Sequence, residues 1–200
     1  MTPQIRAQRP EDRAAVRAVL TDAFANHGVV AELEASLEPR GDSIGFVAEV
    51  ERQVVGHVRL TRGWVDALPR LVEVLVLSPL SVHPEFQRQG IGAALTRHAV
   101  EQAESMGAPA VFLEGSPAFY SRLGWRPAAE LGVTPPSERI PLAALQAVRL
   151  SRWDDWMRGA LVYAEPFWVH DCVGLRGERL EAATSTQSFG TSPDARATAE

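Results

Sequence analysis

The chain of 200 residues has one cysteine and no lysine. With Cys172 alone, no disulfide can form within the chain, and this usage points to a cytoplasmic location. The stretch that carries its glycine-rich loop offers no lysine for the GxxxxGK[ST] loop of nucleoside triphosphatases; all 20 basic residues are arginine. Nor is there a basic excess. The formal charge of −5 argues against nucleic acid, whose phosphates call for a surplus of Lys and Arg, and is compatible with a cationic amine substrate. No apolar run approaches the ~18 residues needed to span a membrane, and the N-terminal MTPQIRAQRPEDR is too polar for the core of a secretory signal. No metal is expected. What remains is 46% hydrophobic and 22% charged, the composition of one globular domain with length enough for a real core.

Residues 71–93, LVEVLVLSPLSVHPEFQRQGIGA, organise the chain. A Val/Leu run reads as a buried central strand, Leu71 to Val82. A short polar loop ends in Gly90-Ile91-Gly92, and Ala93 to Met106 reads as a helix with Ile91, Leu95, Ala99, Ala103 and Met106 on one apolar face. Gly107 closes it. A helix N-terminus leaves backbone N–H groups unpaired and carries partial positive charge. Glycines there let an anion approach, and phosphate or pyrophosphate is the natural guest. A dinucleotide fingerprint, GxGxxG, fails because Leu95 stands in place of the third glycine. Pro79 interrupts the strand, since proline cannot donate a ladder hydrogen bond, and a bulge is expected there.

Around this unit the chain reads in order. Gln4 to Ala7 is a short strand. Pro10 opens a helix with Val16, Val19, Leu20 and Ala23 on one face, and Val30, Leu33 and Leu37 mark a second helix stopped by Pro39 and Gly41. The segment around Asn26-His27-Gly28 is a loop. Ile44 to Val50 and Val54 to Thr61 are strands, with His57 expected at a solvent-facing or core-edge position, though it could reach a site. Gly63 to Arg70 reads as a longer turn. Ala110 to Leu113 is an apolar strand, so a βαβ unit forms. Ser116 caps a short helix begun by Pro117 and ended by Gly124. Ala128 to Pro141 is loop-like, Leu145 to Leu150 a strand, Trp153 to Met157 a turn or short helix, and Gly159 to His170 another strand with Pro166 at a bulge or edge. Trp153, Trp156, Phe167 and Trp168 fill a core, or wall a binding site. From about Glu181 onward the chain is small and polar without periodicity, as disordered tails are.

Gln87, Gly90 and Gly92 spell QxxGxG, preceded by Leu80-Ser81-Val82-His83-Pro84. This string resembles motif A of the GNAT acetyltransferase superfamily. Phe119-Tyr120-Ser121-Arg122-Leu123-Gly124-Trp125 resembles its motif B, where YxxxGF is usual; Trp125 stands where Phe is commoner. The two occur in the family's order. The resemblance covers residues 3 to 150 and, more loosely, reaches about residue 175.

The resemblance implies an α/β (α+β) GNAT fold over residues 1–176, with residues 177–200 as the tail. It implies a mixed central sheet of about six or seven strands flanked by about four helices, with two parallel strands splayed apart. It also implies transfer of an acetyl group from acetyl-CoA to a primary amine by direct attack in a ternary complex, with the helix–loop–helix near the N-terminus bordering the acceptor. Leu80, Ser81 and Val82 would bind the pantetheine and acetyl end, and a backbone N–H there would meet the oxyanion. Gln87, Arg88, Gln89, Gly90, Ile91, Gly92 and Ala93 would cradle the pyrophosphate. Tyr120 would serve as general acid. No residue declares itself the base: Glu73 on the central strand leads, with Glu114 and His83 behind it, and a water chain would also suffice. The alternative is a non-catalytic acyl-CoA-binding or sensing module on the same fold; retention of Tyr120 favours the enzyme. A sheet edge near residues 145–170 permits pairing into a homodimer.

Overall fold

A computed structural model describes residues 3–24 and 28–177. Asn26, His27 and the C-terminal segment expected to be disordered lie outside the described residues. Nine strands form one sheet. Strands β1 (Gln4–Ala7), β2 (Ser43–Val50), β3 (Gln53–Ala67) and β4 (Arg70–Val82) run antiparallel in that order, and β5 (Ala110–Glu114) joins β4 in parallel. β6 (Arg126–Pro127), β7 (Val133–Thr134), β8 (Leu145–Arg149) and β9 (Gly159–Val162) complete it. Among the described residues, five α-helices accompany the sheet: α1 (Arg13–Phe24), α2 (Val29–Leu37), α3 (Ile91–Ser105), α4 (Pro117–Tyr120) and α5 (Glu165–Val169).

Alternation along β4 explains the layering. Val72, Val74 and Val76 enter one buried cluster with Phe112, Trp153, Leu161 and Phe167. Leu75 and Leu77 point the other way, onto Ile91, Leu95, Ala99 and Ala103 of α3. Successive side chains of a strand face opposite sides, so an unbroken apolar run marks a strand covered on both faces. Val16, Val19 and Leu20 of α1 form a third cluster with Ala31, Val47 and Val54.

Four expectations are corrected. Gly63 to Arg70 is not a long turn: β3 continues to Ala67, and only Leu68 and Pro69 turn the hairpin. The extra length is held from both sides, by β4 and by β9, which pairs Trp64 with Val162 and Ala67 with Gly159. Second, the strand expected from Gly159 to His170 ends at Val162, and Pro166 sits in the first turn of α5, where its missing N–H leaves no bond unmade. Third, Met106 is 56% exposed, because it caps α3 rather than continuing its buried stripe. Fourth, β8 is not an edge: β5 pairs with one side of it and β6 with the other.

The bulge expected at Pro79 is present. Val58 pairs with Leu80 and Leu60 with Leu77, so Arg59 alone opposes Ser78 and Pro79. On the other edge of β4 the parallel ladder to β5 holds only Leu75–Val111 and Val76–Phe112. Beyond it, β4 stays with β3 through Val82, while Leu113 and Glu114 of β5 stay with β8. The two parallel strands therefore splay apart.

Candidate active site

The loop from β4 to α3 is folded by its own polar groups. Pro84–Phe86 forms a single 3-10 turn. The Gln87 side-chain amide donates to the Val82 carbonyl at 3.0 Å, and that of Gln89 to the Glu85 carbonyl at 3.2 Å. Arg88 (φ +61°) and Gly90 (φ +85°) are both left-handed, and Gly90 takes that conformation without the Cβ penalty. The chain thereby enters α3 with no acidic residue in the first turn, so nothing on the helix competes with an anion for the free N–H groups.

These residues enclose a cleft of about 260 Å³. Leu80, Ser81 and Val82 form one wall, Gln87, Arg88 and Gly90 to Ala93 the other, and Phe119 overhangs it. The structure thus gathers the residues carried over from motif A, except Gln89, whose side chain turns back onto the loop. Ser81 is buried and its hydroxyl has no partner among the described residues.

A second cleft, about 210 Å³, opens between the splayed strands and the α1–α2 side. Leu80 lines both clefts. So does the motif B helix: Phe119 faces the first and Tyr120 the second, their rings edge to face at 4.8 Å. Ser116 occupies the N-cap of this helix, though its hydroxyl makes no capping bond. Burial pushes the Tyr120 phenol up to about 12. The ring packs against Gly115, where any Cβ would overlap it.

Glu114, at the end of β5, also lines the second cleft. Its Oε2 accepts from the Gly174 backbone N–H at 3.1 Å. Burial raises its carboxyl to about 7, against the smaller opposing pull of that bond, the Tyr163 hydroxyl and Arg139. Burial, with Glu114 alongside, holds the Tyr163 phenol well above its ordinary range. Cys172, a further lining residue, is raised to about 11 by burial and by the neighbouring acids.

The other two candidate bases lie elsewhere. Glu73 pairs with Arg62 at 3.2 Å, is 61% exposed, and sits beside Met106 and Gly107 at the C-terminal end of α3. The anion cradle is at the opposite end of this 15-residue helix, about 22 Å away at 1.5 Å per residue. Periodicity could not separate Glu73 from Glu114, because the difference is one of burial at the splay. His83 shapes the loop: its Nε2 lies 3.5 Å from Asp22 and its ring packs on Phe86.

His57 is fully buried rather than at an edge. It joins a polar cluster under α2, with its Nε2 3.0 Å from Gln8 Oε1 and 3.3 Å from Glu34 Oε1. Arg59 grips Glu34 through both oxygens, at 2.7 and 2.5 Å. Burial works against the Glu34 charge, but His57 and Arg59 more than offset it and hold the carboxyl at about 2. This cluster floors the larger cavity of about 440 Å³ between α1 and α2, which shares no lining residue with the splay. Trp153 and Phe167 are core, and Trp156 lies under the Arg70 guanidinium at 5.1 Å. Among the described residues there is no metal-binding group of His, Cys, Asp and Glu, and no helix long and apolar enough to cross a membrane.

The two clefts meet at Leu80, the first ending at a free helix N-terminus and the second lined by the buried Tyr120. The sequence profile of the Acetyltransferase (GNAT) family matches residues 13–125, more than half of the chain, and the chain belongs to that family. It is 34% identical over 121 residues to the uncharacterised N-acetyltransferase YjhQ of Escherichia coli K12, a match covering 59% of this chain and 66% of YjhQ. Against the uncharacterised N-acetyltransferase MJ1207 of Methanocaldococcus jannaschii the identity is 35%, over 40% of this chain and 38% of that protein. The chain therefore spans just under two thirds of the one relative and well under half of the other. Among solved structures it is similar to E. coli YhbS in complex with CoA, with a TM-score of 0.74 and 28% identity over 84% of this chain and 92% of that one. It is also similar to a GNAT family acetyltransferase of Brucella melitensis in complex with acetyl-CoA, with a TM-score of 0.67 and 26% identity over 82% and 97% of the two chains.

Proposed function

We propose that this protein transfers the acetyl group of acetyl-CoA to a primary amine by direct attack in a ternary complex. The observation that carries the reading is the sharing of Leu80 by two clefts, one with a helix N-terminus at its far end and one holding a carboxyl and a phenol. A pantetheine arm in the first cleft brings its thioester to Leu80, and an amine in the second arrives from the other side. Such orientation is worth several kcal/mol, on the order of 7–11 in the best cases. CoA and acetyl-CoA bound to the similar YhbS and Brucella structures support the choice of ligand.

In this reading the N–H groups of Ile91, Gly92 and Ala93 hold the pyrophosphate, with Arg88 beside them. Gln87 supports the cradle by tying it to Val82. The edge of β4 from Leu80 to Val82 is free of β5 and offers its backbone to the pantetheine amides and to the oxyanion of the tetrahedral intermediate.

Glu114 takes the proton of the incoming ammonium. A base near 7 is half ionised at neutral pH, which suits proton transfer there. The neutral amine attacks the thioester carbon, the tetrahedral intermediate gives its remaining ammonium proton to solvent and collapses to the amide, and the C–S bond breaks. Tyr120, protonated throughout the physiological range, meets the departing sulfur. Full proton transfer from a phenol near 12 to a thiolate of ordinary basicity, near 8.5, is uphill by about 5 kcal/mol. Tyr120 therefore acts chiefly by donating a hydrogen bond to the developing negative charge, and CoA takes its final proton from solvent.

The test is acetyl-CoA-dependent, amine-dependent thiol release by the purified chain, with NAD and ATP as binding controls. Thiol release that rises with added amine supports the transferase. Tight acetyl-CoA binding without amine-dependent release would instead fit a sensing module on this fold.

A further inference from the structure

We propose that the acceptor is a compact apolar monoamine, a primary amine on a small aryl or branched-alkyl group with no carboxylate and no second cation. The inference rests on the acetyl-transfer reading above and deepens it.

The second cleft is walled by Phe24, Val30, Leu33, Leu77, Pro79 and Leu80. Among the described residues, Glu114, Tyr120 and Cys172 are its ionisable lining groups and no arginine lines it. At neutral pH the phenol and the thiol are uncharged, leaving one carboxyl to answer one ammonium. Two nearby acids are engaged elsewhere: Glu34 of α2 is held by Arg59, and Glu38, at the C-cap of that helix, by Arg13 at 2.7 Å. A carboxylate on the substrate would enter an apolar wall beside Glu114 whose described lining holds no cation; Arg139, whose charge reaches Glu114, is already paired with Asp171 at 3.1 Å. A second ammonium would lose its hydration without a free second acid in the described lining, since Asp171, beside Cys172, is already paired with Arg139 and Arg176. Burying such a charge unpaired costs several kcal/mol. An apolar substituent instead gains about 25 cal/mol for each Å² it buries. At about 210 Å³ the cleft is smaller than sites that hold drug-sized ligands, which begin near 300 Å³, so the substituent is small.

The experiment measures kcat/KM by thiol release with phenethylamine, phenylalanine and spermidine at saturating acetyl-CoA, alongside a calorimetric titration with acetyl-CoA. Phenylalanine differs from phenethylamine by the carboxylate alone, and spermidine supplies extra cations. The expected result is that phenethylamine exceeds both by at least about tenfold. Val30→Asp, a substitution at a half-buried wall position, should lower the phenethylamine value and raise that of spermidine. Acetyl-CoA binding with equal or better turnover of a charged amine, or with no turnover of phenethylamine, overturns this inference and leaves the cofactor reading standing. Absence of acetyl-CoA binding overturns both.

Discussion

Phe119 and Tyr120 are sequence neighbours whose rings meet edge to face at 4.8 Å, and each faces a different cleft. One short helix thus contributes to both clefts. Tyr120→Phe keeps the ring and its packing on Trp125, whose centroid lies 5.7 Å away, and removes only the donor. Turnover should fall by about tenfold or more while acetyl-CoA affinity changes little. Unaltered turnover would remove Tyr120 from the chemistry.

Gly115 offers an independent route to the same group. A methyl there would overlap the Tyr120 ring, so Gly115→Ala should displace the phenol without touching it. The expected outcome is a loss of kcat comparable to that of Tyr120→Phe, with acetyl-CoA binding retained. Full activity in Gly115→Ala would show that the placement of the ring is not required.

Glu114 makes two linked predictions. As the base, it should produce a rise in kcat/KM with an apparent pKa near 7, and Glu114→Gln should abolish that limb of the profile. Its folded value, about 7, lies above the ordinary 4.5, so its neutral form favours folding. The stability it contributes is complete below about pH 4.5 and is lost as pH rises through about 7, by at most about 3 kcal/mol. Chemical denaturation from pH 4.5 to 8 should show that fall in the wild type and a flatter curve in Glu114→Gln.

The two glutamates show where sequence reading succeeds and where it stops. The QRQGIG loop and the helix after it are local features, set by glycines, polar side chains and a 3.6-residue period, and they were legible residue by residue. So was the bulge, because proline lacks the N–H that the ladder needs. The end of the splay was not legible: half-buried Glu114 comes to line the second cleft where β5 leaves β4 after Phe112 and pairs with β8, and no local pattern reports that distant partner. Trp64, Val65 and Asp66 failed for the same reason. Their neighbours Gly63, Asp66 and Pro69 look like a turn, yet pairing with both β4 and β9 makes them strand.

Gly92 lines the first cleft between Phe119 and Val82. A Cβ there would sit 3.7 Å from Phe119 and from Val82, an ordinary contact, so the fold should tolerate one. The γ-methyls of Gly92→Val, however, would project between those two walls. Acetyl-CoA affinity should drop by about tenfold or more, equivalent to at least about 1.4 kcal/mol, with the melting temperature little changed. Calorimetry and thermal unfolding together check both halves.

The Arg59–Glu34 pair lines neither the first nor the second cleft and is a matter of stability. Arg59→Met leaves Glu34 buried with His57 and without its guanidinium, and should destabilise by about 3–5 kcal/mol. Removing both charges, in Glu34→Met with Arg59→Met, should recover much of the loss. Urea denaturation of the single and double variants measures the difference.

The central claim is that the cleft between β4 and α3 takes acetyl-CoA, and a calorimetric titration of the purified chain tests it most directly. The expected result is saturable micromolar binding of acetyl-CoA, weakened in Gly92→Val, with no heat from NAD or ATP. Absence of acetyl-CoA binding, or binding of equal strength in Gly92→Val, would contradict the account.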